Sequence, residues 1–371
     1  MTPIAYRAER MFATPHAHGG GGVGRIMLLV QLALVPATLF GFWLYGWPAF
    51  FLWVVTLLSA LVCEFASLRL LGGKAVGRTL FDGSALLTGW LLAMTLPPWS
   101  PWWVGALGGG IAIVIGKQVF GGLGQNVFNP AMVARVALLI SFPLQLTAWV
   151  TPLPLVSIPA PGFLEGLRIT LGQAPLPDAM TSASLLGYAK TELARGVDLL
   201  HAFSGGHAPR LSWLGVRSGS LGESSALLIF LGGLFLLAAG VIRWHAPVGV
   251  LAGVLLPALF AHGVAPERFM SAEQHLLSGA LMLCAFFIAT DYVTSPTTDP
   301  GRLVFGLGVG LMTWIIRTLG GYPEGAAFAV LLMNAMTPII DRVVKPRILG
   351  RTRSGKPLIP RPDMADAGKG G

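Results

Sequence analysis

Ser184 closes the run Asp178-Ala179-Met180-Thr181-Ser182-Ala183-Ser184, in which a carboxylate precedes two hydroxyls by three and six residues. Such a hydroxyl can carry a group through a phosphoester; the plainer reading makes Asp178 the N-cap of a short helix through Leu185, Leu186 and Tyr188. A second constellation is Gly121-Gly122-Leu123-Gly124-Gln125-Asn126-Val127-Phe128-Asn129-Pro130-Ala131. Its glycines permit a tight, close-approaching backbone, and Asn126 and Asn129 each offer a carboxamide donor and acceptor suited to the edge of a heterocycle. Pro130 fits the first turn of a helix whose N-terminal amides would face the same place. A cap-and-turn pair accounts for one of these asparagines but not for two amides at i, i+3 on one face. Asp291, in Thr290–Pro296, serves either as a solvated end residue or as the acceptor for a ring N–H. Lys117 either pairs with a ligand or snorkels to an interface. Glu64 lies inside an apolar stretch, where a charge is costly and a functional candidate by default, and its neighbours Cys63 and Phe65-Ala66-Ser67 offer it no partner.

These groups sit in a chain too apolar for water. Of 371 residues, 54% are hydrophobic and 11% charged, against about 25% charged in soluble domains, and the mean hydropathy is +0.71. Apolar runs long enough for a hydrocarbon core of about 30 Å recur, so an all-α polytopic membrane protein is expected. The first 25 residues carry Arg7, Arg10, His16, His18 and a Gly19–Gly22 run rather than a short apolar core with a cleavage site, which predicts a retained first span instead of a signal peptide. Cys63 and Cys284 lack CxxC spacing and read as buried thiols, with no metal site. The net charge of +9 fits cytoplasmic loops better than nucleic acid. The tail Arg342–Lys369 reads as a topology anchor with some affinity for anionic lipid.

About ten spans are drawn, near 25–46, 48–70, 82–97, 102–120, 127–148, 224–243, 246–264, 273–290, 301–319 and 322–341. Cytoplasmic termini place 18 of the 25 Lys and Arg residues on cytoplasmic segments or span ends, as the positive-inside rule requires. The long loop 149–223 then faces outward. The segments are 1–24, a first repeat 25–148, the loop 149–223, a second repeat 224–341 and the tail 342–371. The repeat rests on Ser84–Pro97 against Gly279–Asp291, and on glycine breaks (Gly121–Gly124, Gly320-Gly321) that each precede a span with an asparagine, Asn129 or Asn334. Five spans per half make the halves inverted, with sites expected at broken helices between them; chance likeness among Gly/Ala/Leu-rich spans is the alternative. Trp99, Trp102 and Trp103 read as an interfacial belt.

The chain resembles the RnfD/NqrB family of ion-translocating electron-transport complexes over roughly Arg25–Gly350. The resemblance is carried by Gly121–Ser141, Asp178–Ser184, Gly219–Gly233, Ala289–Pro296 and Arg317–Asp341. Gly219-Ser220-Leu221-Gly222-Glu223 and the short stretch before the first span favour the RnfD side. The resemblance implies a multi-pass inner-membrane subunit with FMN joined covalently to Ser184 within the Asp178/Thr181 motif. It implies a second, non-covalent riboflavin on the cytoplasmic side, for which Asn126, Asn129, Asp291 and Lys117 are the candidates. Electrons would pass between NADH and ferredoxin, coupled to Na⁺ or H⁺ translocation. The implied partners are other complex subunits, including a flavinylated one and iron–sulfur ones, with membrane lipid and a periplasmic flavin transferase; no nucleic acid is expected. The usual acceptor in the family is Thr, whereas this chain has Ser184, which keeps the hydroxyl and loses the methyl. A channel or transporter without a redox cofactor is the competing expectation.

Overall fold

The computed structural model describes residues 22–72, 76–157, 160–173, 181–182, 184–204 and 213–346. It is mostly helical. Helix α1 (Val23–Tyr45) and α2 (Trp47–Leu70) form a hairpin whose only linker is Gly46. Gly46 has φ 73° and its N–H bonds the Phe42 carbonyl, while Pro48 opens the first turn of α2; a left-handed glycine stops one helix and a proline starts the next. The short α3 (Val76–Leu80) follows, then α4 (Ser84–Thr95) and α5 (Trp102–Gly110), which continues through a π turn at Ile111–Ile115. Beyond the glycine break come α6 (Pro130–Ser141) and α7 (Pro143–Thr147). The long loop holds α8 (Phe163–Thr170), α9 (Leu185–Ala194), α10 (Leu199–Ser204) and one antiparallel pairing of β1 (Trp149–Val150) with β2 (Thr181–Ser182). The second half contains α11 (Ala226–Ala238), α12 (His245–Val264), α13 (Ala272–Leu277), α14 (Leu281–Leu283) running into a π turn at Cys284–Ile288, α15 (Asp299–Leu319) and α16 (Ala326–Val343).

Six of these segments are long and apolar enough to cross a membrane: α1, α2, the α5 run Trp102–Phe120, α12, α15 and α16. This makes the chain a multi-pass membrane protein, but it departs from ten full spans. The expected spans 82–97, 127–148 and 224–243 contain helices of 12, 12 and 13 residues, about 18–20 Å at 1.5 Å per residue. The expected span 273–290 is broken into two pieces. Local chemistry explains each stop. Leu96 precedes Pro97 and is extended (ψ 151°), and Phe142 precedes Pro143 and has left the helical region, because a proline clashes with a helical residue before it. Beyond α11 lies Gly240, and between α13 and α14 lies Gly279, both at positive φ.

The long helices pack through small residues. A Cβ on Gly306 would stand 2.5 Å from the Ala246 carbonyl, and one on Gly253 2.5 Å from that of Leu307, so α12 and α15 meet backbone to backbone. In the first half α2 packs on α5 in the same second-with-fourth pairing, while α1 packs on α11 and α6 on α16 across the halves.

Several expectations shift here. Gly219–Ser225, at the end of the long loop, is buried, with Leu221 against Gly41 of α1 and Gly222 against the Met94 carbonyl. Arg217 is buried there too, and its carbonyl accepts the Tyr45 hydroxyl at 2.8 Å. Trp99 is not part of an interfacial belt; it is 3% exposed and its indole N–H donates to the Tyr45 carbonyl at 2.9 Å. Cys284 is buried, whereas Cys63 is only partly so, and both thiols are free.

Candidate functional site

A cleft opens where the two halves meet, a common place for small-molecule sites. Its walls are largely apolar, with Leu87 and Leu91 of α4, Leu236 of α11, and Phe286 and Phe287 of the second π turn. Its polar groups include Ser84, Lys117, Asn126, Asn129, Thr290 and Asp291. The four residues singled out for a non-covalent ligand therefore share one cleft, although Lys117 and Asp291 belong to opposite halves.

Local backbone chemistry sets each of them. Gly121, Gly122 and Gly124 all have positive φ, and this turn carries the chain from α5 to α6. Asn129 then caps α6: its Oδ1 accepts the Met132 N–H at 3.3 Å and Pro130 occupies the first turn. The two asparagines do not lie on one helical face as the spacing suggests. Asn126 is in the preceding loop, where its Nδ2 donates to the Phe128 carbonyl at 3.1 Å. Its Oδ1 is buried and has no partner among the described residues, which leaves an acceptor on the wall of the cleft.

Asp291 follows the second π turn. It accepts from the Val293 N–H, the Thr294 hydroxyl and Asn129 Nδ2 at 3.2, 3.1 and 3.4 Å. Asn334 joins the halves behind it, accepting the Asn129 N–H at 3.1 Å and donating to the Thr294 carbonyl at 3.1 Å. Sequence reasoning paired Asn334 with Asn129 only as a repeat mark; that pairing was the signal that could have placed it here.

Lys117 does not snorkel. It is 1% exposed and pairs with Glu64, itself 0% exposed, at 2.7 Å. Glu64 thus has a partner, one helix away rather than among its sequence neighbours. Lys117 also donates to Ser84 Oγ at 2.8 Å, and that hydroxyl donates to Asp82 at 2.6 Å. Ser84 was not foreseen as part of a site.

The second candidate site is Ser184. It is buried and is itself the N-cap of α9, its Oγ accepting the Gly187 N–H at 3.2 Å. The capping role expected for Asp178 belongs to Ser184; Asp178 lies outside the described residues, and of Thr181 only the backbone pairing with Val150 is described. The helix that Ser184 opens is docked on the second half through Lys190, which donates to the carbonyls of Gly320 and, at 2.7 Å, Tyr322 beyond the end of α15. Burial lowers the Lys190 ammonium from its ordinary range. Among the described residues no group of three or more His, Cys, Asp or Glu side chains is placed to hold a metal.

The model of the NQR2, RnfD, RnfE family matches residues 10–350. The chain belongs to this family. Similar proteins, each named as the D component of an ion-translocating oxidoreductase complex, occur in Stutzerimonas stutzeri, 54% identical over 91% of this chain and 95% of the relative, and in Halorhodospira halophila, 51% identical over 94% and 98%. A third, from Rhodobacter capsulatus, is 48% identical over 82% and 84%. The match to the NQR2, RnfD, RnfE family takes in both halves, the cleft and Ser184, so the site belongs to the part of the chain that the family shares.

Proposed function

We propose that this chain is a flavin-bearing subunit of an ion-translocating oxidoreductase, with riboflavin held non-covalently in the cleft and FMN esterified to Ser184. The observation that carries this reading is the convergence of Asn126, Asn129, Lys117 and Asp291 on one cleft with apolar walls. A neutral isoalloxazine presents apolar faces together with a pyrimidine edge of acceptors and one N–H. Asn126 Oδ1, buried and without a partner among the described residues, and the Asp291 carboxylate suit the N–H; Lys117 and the Asn129 amide suit the acceptors. An unpaired buried polar group costs about 1–3 kcal/mol, so a ligand N–H at Asn126 would be favoured. At Ser184 an esterified phosphate would meet the N-terminal amides of α9, a favourable place for an anion. The flavin supplies the electron-carrying chemistry when bound; the protein supplies position and electrostatics.

In this reading electrons pass between NADH and ferredoxin and drive Na⁺ or H⁺ across a bacterial inner membrane, with a flavinylated subunit and iron–sulfur subunits as partners. The Asp178/Thr181 motif serves a periplasmic flavin transferase. The fold is read as two inverted five-segment halves with short or broken helices near the cleft, supported by the repeated second-with-fourth pairing and by the Asn129–Asn334 contact. Both termini are placed in the cytoplasm. The test is to denature the purified protein and measure both flavins. Covalent flavin appears as in-gel fluorescence under ultraviolet light, and acid extraction releases the other. Asp291→Leu lowers the extractable flavin and leaves the fluorescent band. Colourless, non-fluorescent protein overturns the reading.

A further inference from the structure

We propose that Lys117 offsets the negative charge arriving on the ring in the cleft, and that Glu64 and Ser84 are the positioning residues that hold its ammonium in place. The inference rests on the reading of the cleft as a riboflavin site, and it assigns Glu64, which does not line the cleft. Lys117 and Ser84 do line it; Glu64 meets Lys117 from α2 at 2.7 Å. The other carboxylate oxygen, Oε2, is buried without a hydrogen-bond partner, so among the described residues Lys117 alone pairs with this carboxylate.

The geometry is closely constrained. Lys117 stands two residues past the π turn Ile111–Ile115, a kind of helix defect that recurs at functional positions. A Cβ on the preceding Gly116 would lie 2.6 Å from the Ala112 carbonyl and 2.8 Å from Pro130 Cα, which pins the backbone against the start of α6. A buried ion pair contributes little to stability compared with well-packed apolar residues, so stability alone is a weak reason for a charge pair here. Among the described residues that line the cleft the other charged group is Asp291, and Asp82 lies behind Ser84. A ring that gains charge there would face Lys117, the one cation among the described lining residues.

When the ring accepts two electrons, from the one-electron flavin or iron–sulfur carriers of such a complex, together with one proton from water, one negative charge remains on it. Removing the ammonium makes that charge harder to place. Removing the carboxylate behind it has the opposite sign, because it frees the ammonium to compensate the ring. A purely structural ion pair predicts no such opposition, since breaking it from either side disturbs the same wall.

The test is an anaerobic dithionite titration of the extractable flavin in the full-length chain, in a Ser184→Ala background that removes any covalent flavin from the spectrum. Lys117→Met lowers the equilibrium constant for reduction about tenfold or more, which is about 30 mV for a two-electron couple. Lys117→Arg restores most of the loss, and Glu64→Gln raises the constant above that of the parent. Shifts of Lys117→Met and Glu64→Gln in the same direction, or no shift in either, overturn the proposal. If Lys117→Met no longer retains flavin, Glu64→Gln decides: a raised potential supports the proposal and an unchanged or lowered one overturns it. A parent chain that releases no flavin removes the cleft reading and this inference with it.

Discussion

Replacing Asn129 by serine separates the two roles its side chain has in this structure. As a cap, Oδ1 accepts the Met132 N–H at 3.3 Å; towards the cleft, Nδ2 donates to Asp291 at 3.4 Å. Serine caps a helix about as well as asparagine but is too short to reach the Asp291 carboxylate. Asn129→Ser therefore keeps α6 and removes one donor from the cleft, whereas Asn129→Leu removes that donor and also the cap, about 0.5–2 kcal/mol. A hydrogen bond is worth about 0.5–1.5 kcal/mol net, and the donor lost is the one read as facing a ring acceptor. About 1.4 kcal/mol is tenfold in affinity, so the serine variant binds riboflavin up to about tenfold more weakly, while the thermal midpoint falls only by the share of the long 3.4 Å contact to Asp291. Fluorescence titration of flavin-stripped protein with riboflavin, alongside thermal unfolding in the same detergent, reads both quantities. Wild-type affinity in Asn129→Ser, with a loss confined to Asn129→Leu and matched by a lower midpoint, would refute the reasoning and leave Asn129 as a cap alone.

Ser184→Ala abolishes fluorescence that survives denaturation and Ser184→Thr keeps it, as gel imaging under ultraviolet light will show; persistent covalent flavin in the alanine variant moves the attachment to Thr181. Cysteines placed at Ser204 and Ser354 in a background lacking Cys63 and Cys284 report the topology: an impermeant maleimide applied to intact cells labels the first and spares the second, and the reverse pattern inverts the orientation. Gly233→Ala puts a methyl onto the Phe286 ring, which leaves no room for it; since Phe286 walls the cleft, extractable flavin falls while the band at Ser184 stays, and unchanged extraction would separate Phe286 from the ligand.

Hydropathy located the ten apolar segments but could not tell a full span from a half. A window of about 19 residues averages across Pro97-Pro98, Pro143, Gly240 and Gly279, and these are the places where α4, α6, α11 and the α13–α14 segment stop. The breakers were visible as residue types; what stayed hidden was that the neighbouring helices tolerate chain ends inside the bundle. The site shows the same division. Asn126, Asn129, Lys117 and Asp291 stood out singly as polar groups beside apolar runs. Their convergence depends on which helices are neighbours, and periodicity carries no such information: Glu64 and Lys117 lie 53 residues apart in the chain, and Asn129 and Asn334 lie 205 apart. The sequence also suggested two amides on one helical face, whereas helix α6 begins at Pro130, so a loop and a cap deliver them instead.

Capping and ligand binding at these residues are consequences of one constraint. Backbone that leaves the helical state inside a membrane protein must find partners in the protein or line a polar cavity. Here the breaks before α6 and after the second π turn face each other, and the groups that satisfy them are Asn129, Asn334, Asp291 and Thr294. Asn129 caps α6 and reaches Asp291; Asp291 binds the Val293 N–H and the Thr294 hydroxyl; Asn334 takes the Asn129 N–H and holds the Thr294 carbonyl. Side chains gathered to repair broken helices are also the polar groups available to whatever enters the cleft between them. A ligand there would compete for and complete a network that the fold already requires. Substitutions at these positions are therefore expected to couple stability to ligand content, and conservative caps such as serine are the way to divide the two.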